Sequence, residues 1–171
     1  MKRTYLLALI LALYSIPWAN AQTDSWSIKV KIDCYGNEGK PTHSGSSNWI
    51  KVEAFFRDGR SAGSKRTRIT DCSEGLLGFE KYAETVEIDL KGLLASRSKL
   101  RLTIDGDNAF WLDQLEVNFY NPNGGWFKKY NFGVNGKKGW CLSTDPDDWR
   151  GGWEKYIDQS IGCTKSWTFT L

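Results

Sequence analysis

The chain has 171 residues, with 23 Lys and Arg against 20 Asp and Glu, so its charge is nearly balanced. Proteins that bind nucleic acid usually carry a clear excess of cations, so this composition gives no reason to expect a nucleic-acid partner. The length suits one ordinary domain, and 17 glycines together with 14% aromatic residues indicate short strands and turns.

The first element along the chain, residues 1–21, has the pattern of a secretory signal peptide. A basic start is followed by an apolar run at residues 6–13 and by an A-x-A cleavage site that ends at Ala21. The apolar run is shorter than the roughly 20 residues that span a bilayer, and no later segment comes close. We therefore expect cleavage after Ala21 and a secreted or periplasmic protein that is not transmembrane.

The mature part, residues 22–171, is predicted to form a single domain of β-strands. Apolar and polar side chains alternate with a period of two, which is typical of half-buried strands. The alternation occurs at residues 26–34, 50–56, 86–90, 100–104, 115–119 and 167–171. Only the segment 90–98 has the composition of a short helical turn.

Clusters rich in glycine and in Asp or Asn separate these strands and indicate turns. The clusters lie at residues 35–39, 58–60, 105–108 and 121–125. Strands at this spacing, with no helices between them, predict an all-β fold of the antiparallel β-sandwich type.

Four cysteines lie in the mature part: Cys34, Cys72, Cys141 and Cys163. Because the protein is expected to be exported to an oxidising compartment, the cysteines predict disulfides, and none has the C-x-x-C spacing of a zinc or redox pair. Four cysteines allow three connectivities, and the sequence alone does not choose among them. We favour Cys34–Cys72 and Cys141–Cys163, which join neighbours in the sequence.

Three stretches carry a resemblance to a known family. Residues 100–120 combine a strand, a loop with Asp and Asn, and an aromatic-Leu-Asp step into a second strand. An aromatic strand at 129–132 is followed by Trp-Cys-Leu and an acidic loop within 139–148. Residues 46–52 form a loop that leads into an early strand. Together they resemble the PLAT domain, the β-sandwich of lipoxygenases, polycystins and several lipases and toxins. The resemblance covers residues 26–148 and implies a non-catalytic module that binds a lipid surface or a protein, sometimes with calcium.

Asp105, Asp107 and Asn108 place three oxygen ligands in four residues, with Gly106 allowing a sharp turn. Calcium prefers carboxylate and carbonyl oxygens in flexible loops, so these residues are a candidate calcium site. The alternative is an ordinary hairpin turn, since Asp-Gly is a common turn sequence. A second acidic loop, with Asp145, Asp147 and Asp148, has the composition of a solvated turn.

Trp149 and Trp153 flank a flexible cationic tip that contains Arg150. Indole rings favour membrane interfaces and also stack on sugar faces, which makes this tip a candidate binding surface. The alternative is that most of the tryptophans fill the core of a small sandwich.

Five cations lie within twelve residues: Arg57, Arg60, Lys65, Arg66 and Arg68. Such a cluster can bind anionic lipid, lipopolysaccharide or acidic glycan. It is more commonly a solvated face whose charges protect an edge strand from pairing with other chains. We take Arg66 and Arg68, with the tryptophan tip, as the candidate ligand-binding residues.

The sequence gives little support to catalysis. His43 is the sole histidine, so a histidine-rich metal site is excluded and a Ser-His-Asp triad could use only His43. We therefore predict a secreted, non-catalytic module that binds a lipid surface or a protein partner, with calcium as a candidate cofactor. A carbohydrate-binding sandwich that uses exposed tryptophans, and a secreted inhibitor or toxin subunit, are the alternatives.

Overall fold

The computed structural model describes residues 26–34, 46–69, 83–121, 123, 125–133, 139–148, 150 and 161–171. The predicted signal peptide at residues 1–21 lies outside them. Within the described residues the chain forms strands and no helix. This part of the structure therefore contains no long apolar helix that could cross a membrane. The strands are β1 (Trp26–Cys34), β2 (Ile50–Phe55), β3 (Ser61–Thr67), β4 (Ala83–Leu90), β5 (Lys99–Ile104), β6 (Phe110–Tyr120), β7 (Trp126–Gly133), β8 (Trp140–Leu142) and β9 (Ser166–Thr170).

The strands form two antiparallel sheets, which confirms the predicted all-β sandwich. The five-stranded sheet has the order β4-β1-β6-β7, with β8 also paired to β6, and the four-stranded sheet has the order β3-β2-β5-β9. All six segments predicted from alternating side chains are strands, because their apolar residues face the interior between the sheets. The core residues that these strands share include Ile28, Val30, Ile32, Ile50, Val52, Ile88, Leu100, Leu102, Leu115 and Val117.

Two seams close the sandwich along its sides. At the first, β3 lies against β4, and the backbone N–H of Lys91 donates to the carbonyl oxygen of Ala62 at 2.9 Å. At the second, β8 lies near β9, where Leu142 and Thr164 form an isolated parallel bridge. The two seams connect the sheets into one layered structure around a shared core.

The predicted Cys141–Cys163 disulfide is confirmed and lies at the second seam. Cys34 is also disulfide-bonded, while Cys72, the partner favoured from the sequence, lies outside the described residues. Disulfides of this kind fit an extracellular or periplasmic protein.

Two sequence expectations differ from the structure. The segment 90–98, predicted as a short helical turn, forms no helix: Leu90 completes β4, and the N–H of Arg97 donates to the carbonyl oxygen of Leu171, just beyond β9, at 2.9 Å. A single local turn bond is present, from the N–H of Ser98 to the carbonyl oxygen of Ala95 at 3.2 Å. Strand β3 was not predicted, because its sequence SAGSKRT lacks a regular apolar alternation. Its position at the edge of the four-stranded sheet explains why exposed cations are tolerated there.

Candidate functional site

Two acidic loops that are far apart in the sequence meet at one end of the sandwich, which we call the acidic end. The loop 105–108 connects β5 to β6, and the loop 143–148 follows β8. The backbone N–H of Thr144 donates to the carbonyl oxygen of Gly106 at 3.0 Å, which joins the two loops. The structure therefore brings the candidate calcium ligands beside the second acidic cluster of the sequence.

The loop 105–108 is held by hydrogen bonds from the segment that precedes β2. The backbone N–H of Trp49 donates to Asp105 Oδ1 at 2.8 Å. The hydroxyl of Ser46 donates to the carbonyl oxygen of Asn108 at 2.5 Å. One carboxylate oxygen and one carbonyl of the predicted calcium site are thus already bound to protein donors.

The half-buried side chain of Asn48 packs against the loop 105–108 at the acidic end. In the orientation that its neighbours require, its amide oxygen accepts hydrogen bonds from the N–H groups of Asp107 and Asn108, at 3.1 and 2.9 Å. A Cβ at Gly106 would stand 2.4 Å from the amide carbon Cγ of Asn48, so the loop depends on glycine for this close approach. These contacts with Asn48 account for the shape of the loop through hydrogen bonds within the protein.

Across the part of the chain that the structure describes, no three Asp, Glu, His or Cys residues are grouped so as to hold a metal ion. Calcium binding by Asp105, Asp107 and Asn108 stays a prediction.

The predicted ligand-binding residues occupy different places. Arg68 follows β3 and lies over the ring of Trp49, 4.7 Å from its centroid, at the acidic end. Arg150 is paired with Asp147 at 3.0 Å in the same region. Arg66 is an exposed residue of β3. Trp149 and Trp153 lie outside the described residues, so a tryptophan tip stays a prediction.

The opposite end of the sandwich carries a groove of about 400 Å³, and we call it the groove end. It lies between the β2–β3 turn and the segment that connects β4 to β5. The lining residues are Phe56, Arg57, Asp58, Arg60, Leu93 and Ala95. Phe56 is partly buried and packs against the core, and the side chain of Leu93 is 51% exposed. The groove therefore has an apolar interior and a cationic rim.

The β2–β3 turn that forms one wall of the groove is tightly hydrogen-bonded. Phe56 and Arg60 are joined by a backbone hydrogen bond of 2.9 Å, and the N–H of Gly59 donates to the carbonyl oxygen of Phe56 at 2.9 Å. Gly59 has a φ of 86°, a conformation that glycine adopts without a steric penalty. The turn thus presents its arginines from a defined backbone.

The two arginines of this turn differ in their charge environment: Arg60 forms an ion pair with Asp58, and Arg57 is not part of that pair. Arg60 Nε lies 2.7 Å from Asp58 Oδ2. Hydrogen bonds from the backbone and then the side chain of Arg60 lower the pKa of Asp58, so this carboxylate stays ionised. Arg57 is exposed on the same turn, and it supplies the uncompensated charge at the rim.

The structure divides the five-cation cluster of the sequence between two surfaces. Arg57 and Arg60 belong to the groove end, whereas Lys65 and Arg66 lie in β3 and Arg68 lies beyond it. Sequence reasoning missed Leu93 as a site residue. The adjacent leucines 93 and 94 were the available signal: Leu94 is buried and Leu93 points outward.

Comparison of the chain with models of protein families, with curated proteins and with solved structures finds no match. The sandwich architecture stands on the strand pairing described above. The resemblance to the PLAT domain stays a prediction that rests on the motifs within residues 26–148.

Proposed function

We propose that this protein is a non-catalytic binding module that docks its groove end onto an anionic lipid surface. The observation that carries the proposal is the exposed Leu93 beside a groove whose rim holds Arg57 and Arg60. A half-exposed leucine next to arginines combines an apolar anchor with cations for lipid headgroups.

The expected interaction is weak and reversible. Each cation near an anionic membrane contributes about 1 kcal/mol, and burying the exposed half of a leucine side chain contributes about 1 kcal/mol more. Asp58 reduces the contribution of Arg60, with which it is paired. Binding should therefore require anionic lipid and weaken as salt screens the charges.

Vesicle co-sedimentation of the exported protein tests this function. We expect the protein to sediment with phosphatidylcholine vesicles that contain phosphatidylglycerol, and to stay in the supernatant with phosphatidylcholine alone. The double variant Arg57→Gln, Leu93→Ser removes one rim cation and the apolar anchor. It should weaken binding by about 2 kcal/mol, or roughly 30-fold.

A matched control is available at the other end of the molecule. Ile161 is 52% exposed, nearly the same as Leu93 at 51%, and Lys165 lies beside the end of β5 through its carbonyl contact with Ile104. The double variant Ile161→Ser, Lys165→Gln should bind as the unaltered protein does. Absence of binding to anionic vesicles, or an equal loss in both double variants, would refute docking by the groove end.

A further inference from the structure

The outer face of the four-stranded sheet is polar, and strand register arranges it in rows. The rows are Arg66, Lys51, Thr103 and Ser166; then Ser64, Glu53, Arg101 and Thr168; then Ser61, Phe55, Lys99 and Thr170. Trp49 and Arg68 extend the face toward the acidic end. Phe55 lies six positions after Trp49 along the chain, so the face is roughly 20 Å long.

This face carries an excess of positive charge. Among the described residues, five cations lie on it, Lys51, Arg66, Arg68, Lys99 and Arg101, against the two carboxylates of Glu53 and Asp105. Glu53 is shared by two of the cations, with Lys51 Nζ at 2.6 Å and Arg101 Nη2 at 3.1 Å. The remaining cations are therefore not neutralised by Glu53.

The outer face of the five-stranded sheet is different. There, within the described strands, the cations Lys29, Lys31 and Lys129 are matched by the carboxylates of Asp33, Glu87, Asp89 and Glu116. Each of these lysines has its own carboxylate within 4 Å, at 3.8, 3.5 and 2.7 Å. Among the described strands, the positive excess thus distinguishes the outer face of the four-stranded sheet from that of the five-stranded sheet.

We call the outer face of the four-stranded sheet the basic face. An arginine covers each of the two aromatic rings, Trp49 and Phe55, that lie on its described part. The guanidinium of Arg68 lies 4.7 Å from the centroid of Trp49, and that of Arg101 lies 4.6 Å from the centroid of Phe55. A guanidinium stacked on a ring keeps its N–H groups available at the edges for a carboxylate or sulfate. Serine and threonine hydroxyls of β3, β5 and β9 lie between the cations.

We propose that this face is a second binding site, and that it takes a linear polysaccharide bearing carboxylate or sulfate groups. The charge excess complements such a chain, and the hydroxyl rows can exchange hydrogen bonds with sugar hydroxyls. The length of the face accommodates several sugar units in an extended chain. The site rests on observations separate from those of the groove end.

A lipid surface is a poorer match for this face. Of the large hydrophobic side chains that are exposed in the described structure, only Trp49 lies here, and Arg68 covers its ring. The face therefore offers no aliphatic anchor comparable to Leu93 at the groove end. The hydroxyls and stacked guanidinium groups of this face can bind a polar, charged and extended polysaccharide better than they can bind the headgroup–acyl boundary of a lipid bilayer.

Affinity electrophoresis of the exported protein in gels containing dextran, dextran sulfate or polygalacturonate tests the site. We expect the two charged polymers to retard the protein and neutral dextran to leave it unchanged. The double variant Arg66→Gln, Lys99→Gln removes two exposed cations from the face, and should weaken retention by roughly tenfold or more. Neither residue has an ion pair among those described, so the fold is expected to persist.

The control is Lys29→Gln, Lys129→Gln, which removes the same charge from the opposite face. It should retain the affinity of the unaltered protein, as should Arg57→Gln, Leu93→Ser at the groove end. No retardation by either charged polymer, or equal weakening by the face and control variants, would overturn the proposal. Equally strong binding to a short DNA duplex would also overturn it, since the face would then recognise charge without sugar.

Discussion

The indole nitrogen of Trp167 donates a hydrogen bond to the carbonyl oxygen of Cys141 at 3.0 Å. Trp167 belongs to β9 of the four-stranded sheet, and Cys141 belongs to β8 of the five-stranded sheet. The bond therefore crosses between sheets beside the Cys141–Cys163 disulfide. Covalent and hydrogen-bonded links together close this side of the sandwich.

The first prediction concerns that disulfide. The double variant Cys141→Ala, Cys163→Ala opens a loop whose ends are 22 residues apart. The chain-entropy model assigns such a cross-link about 3 kcal/mol, which corresponds to a fall of roughly 10 °C in Tm for a domain of this size. Thermal unfolding of both proteins without reductant measures the difference, and an unchanged Tm would show that the bond does not stabilise the fold.

The second prediction concerns the seam between β3 and β4. A Cβ at Gly63 would stand 2.5 Å from the backbone carbonyl oxygen of Asp89 and 2.8 Å from Ile88 Cγ2, so one strand must move. We expect Gly63→Ala to lower the free energy of unfolding by about 2 kcal/mol, as overpacked sites do.

Gly92→Ala is the matched control for this substitution. Its Cβ would meet the ring of Phe56 at 3.7 Å, an ordinary contact, and stability should change little. Urea unfolding compares the two alanine variants. Equal stabilities would mean that the sheets separate at this seam without cost.

The third prediction is a pH dependence that arises from Glu53. Burial alone would raise its pKa, but hydrogen bonds from Lys51 and Arg101 outweigh burial and hold the pKa below the ordinary value. A lowered pKa in the folded state means that the stabilisation is fully present above the unfolded pKa. It is lost as the pH falls through the folded pKa.

Glu53→Gln should therefore destabilise the protein at neutral pH by about 1–2 kcal/mol, and the difference should vanish in acid. Glu87→Gln serves as a control, because its ion pair with Lys29 is 3.8 Å long and largely exposed. Unfolding curves at neutral pH and at successively lower pH values measure how the difference between the two proteins changes. A difference that persists or grows in acid would contradict the assignment to the carboxylate.

The fourth prediction concerns the acidic end. Asn48→Ala removes the acceptor for the N–H groups of Asp107 and Asn108, and should cost about 1–3 kcal/mol. Ser47→Ala, which removes only an exposed contact with Asn108, should change stability by less than about 0.5 kcal/mol. Thermal melts rank the two variants, and equal losses would argue against a supporting role for Asn48.

The fifth prediction tests the calcium site read from the sequence. If Asp105, Asp107 and Asn108 bind calcium, adding the ion should raise Tm through binding to the folded state. Asp107→Ala should abolish that rise. A Tm that is the same in calcium and in chelator would leave the loop as a turn held by protein donors alone.

Local patterns predicted the strands well, because the alternation of side chains in a strand depends only on neighbouring residues. Ile28, Val30 and Ile32 alternate with Lys29 and Lys31, and the structure places the first three in the core. Strand β3 escaped prediction because its exposed edge position does not demand apolar residues. The segment 90–98 forms no helix because backbone groups of Lys91, Arg97 and Ser98 bond to residues far away in the sequence.

The candidate sites were predicted only as separate pieces. The sequence showed two acidic loops and one basic cluster, but it could not show that the loops 105–108 and 143–148 meet. Nor could it show that Arg57 belongs with Leu93 while Arg66 belongs with Lys99 and Arg101. These groupings depend on which strands pair and in what register.

By itself, the sequence determined the all-β class and the positions of six strands, because each depends on local side-chain order. The Cys141–Cys163 pairing was one of three connectivities open to the sequence, and the folded structure selected it. The tertiary structure alone decided the charge difference between the two outer faces and the composition of the groove end. Both depend on strand order and register, which arise from contacts between residues that are distant in the sequence. A pattern read along one segment contains no information about the segment that will lie beside it.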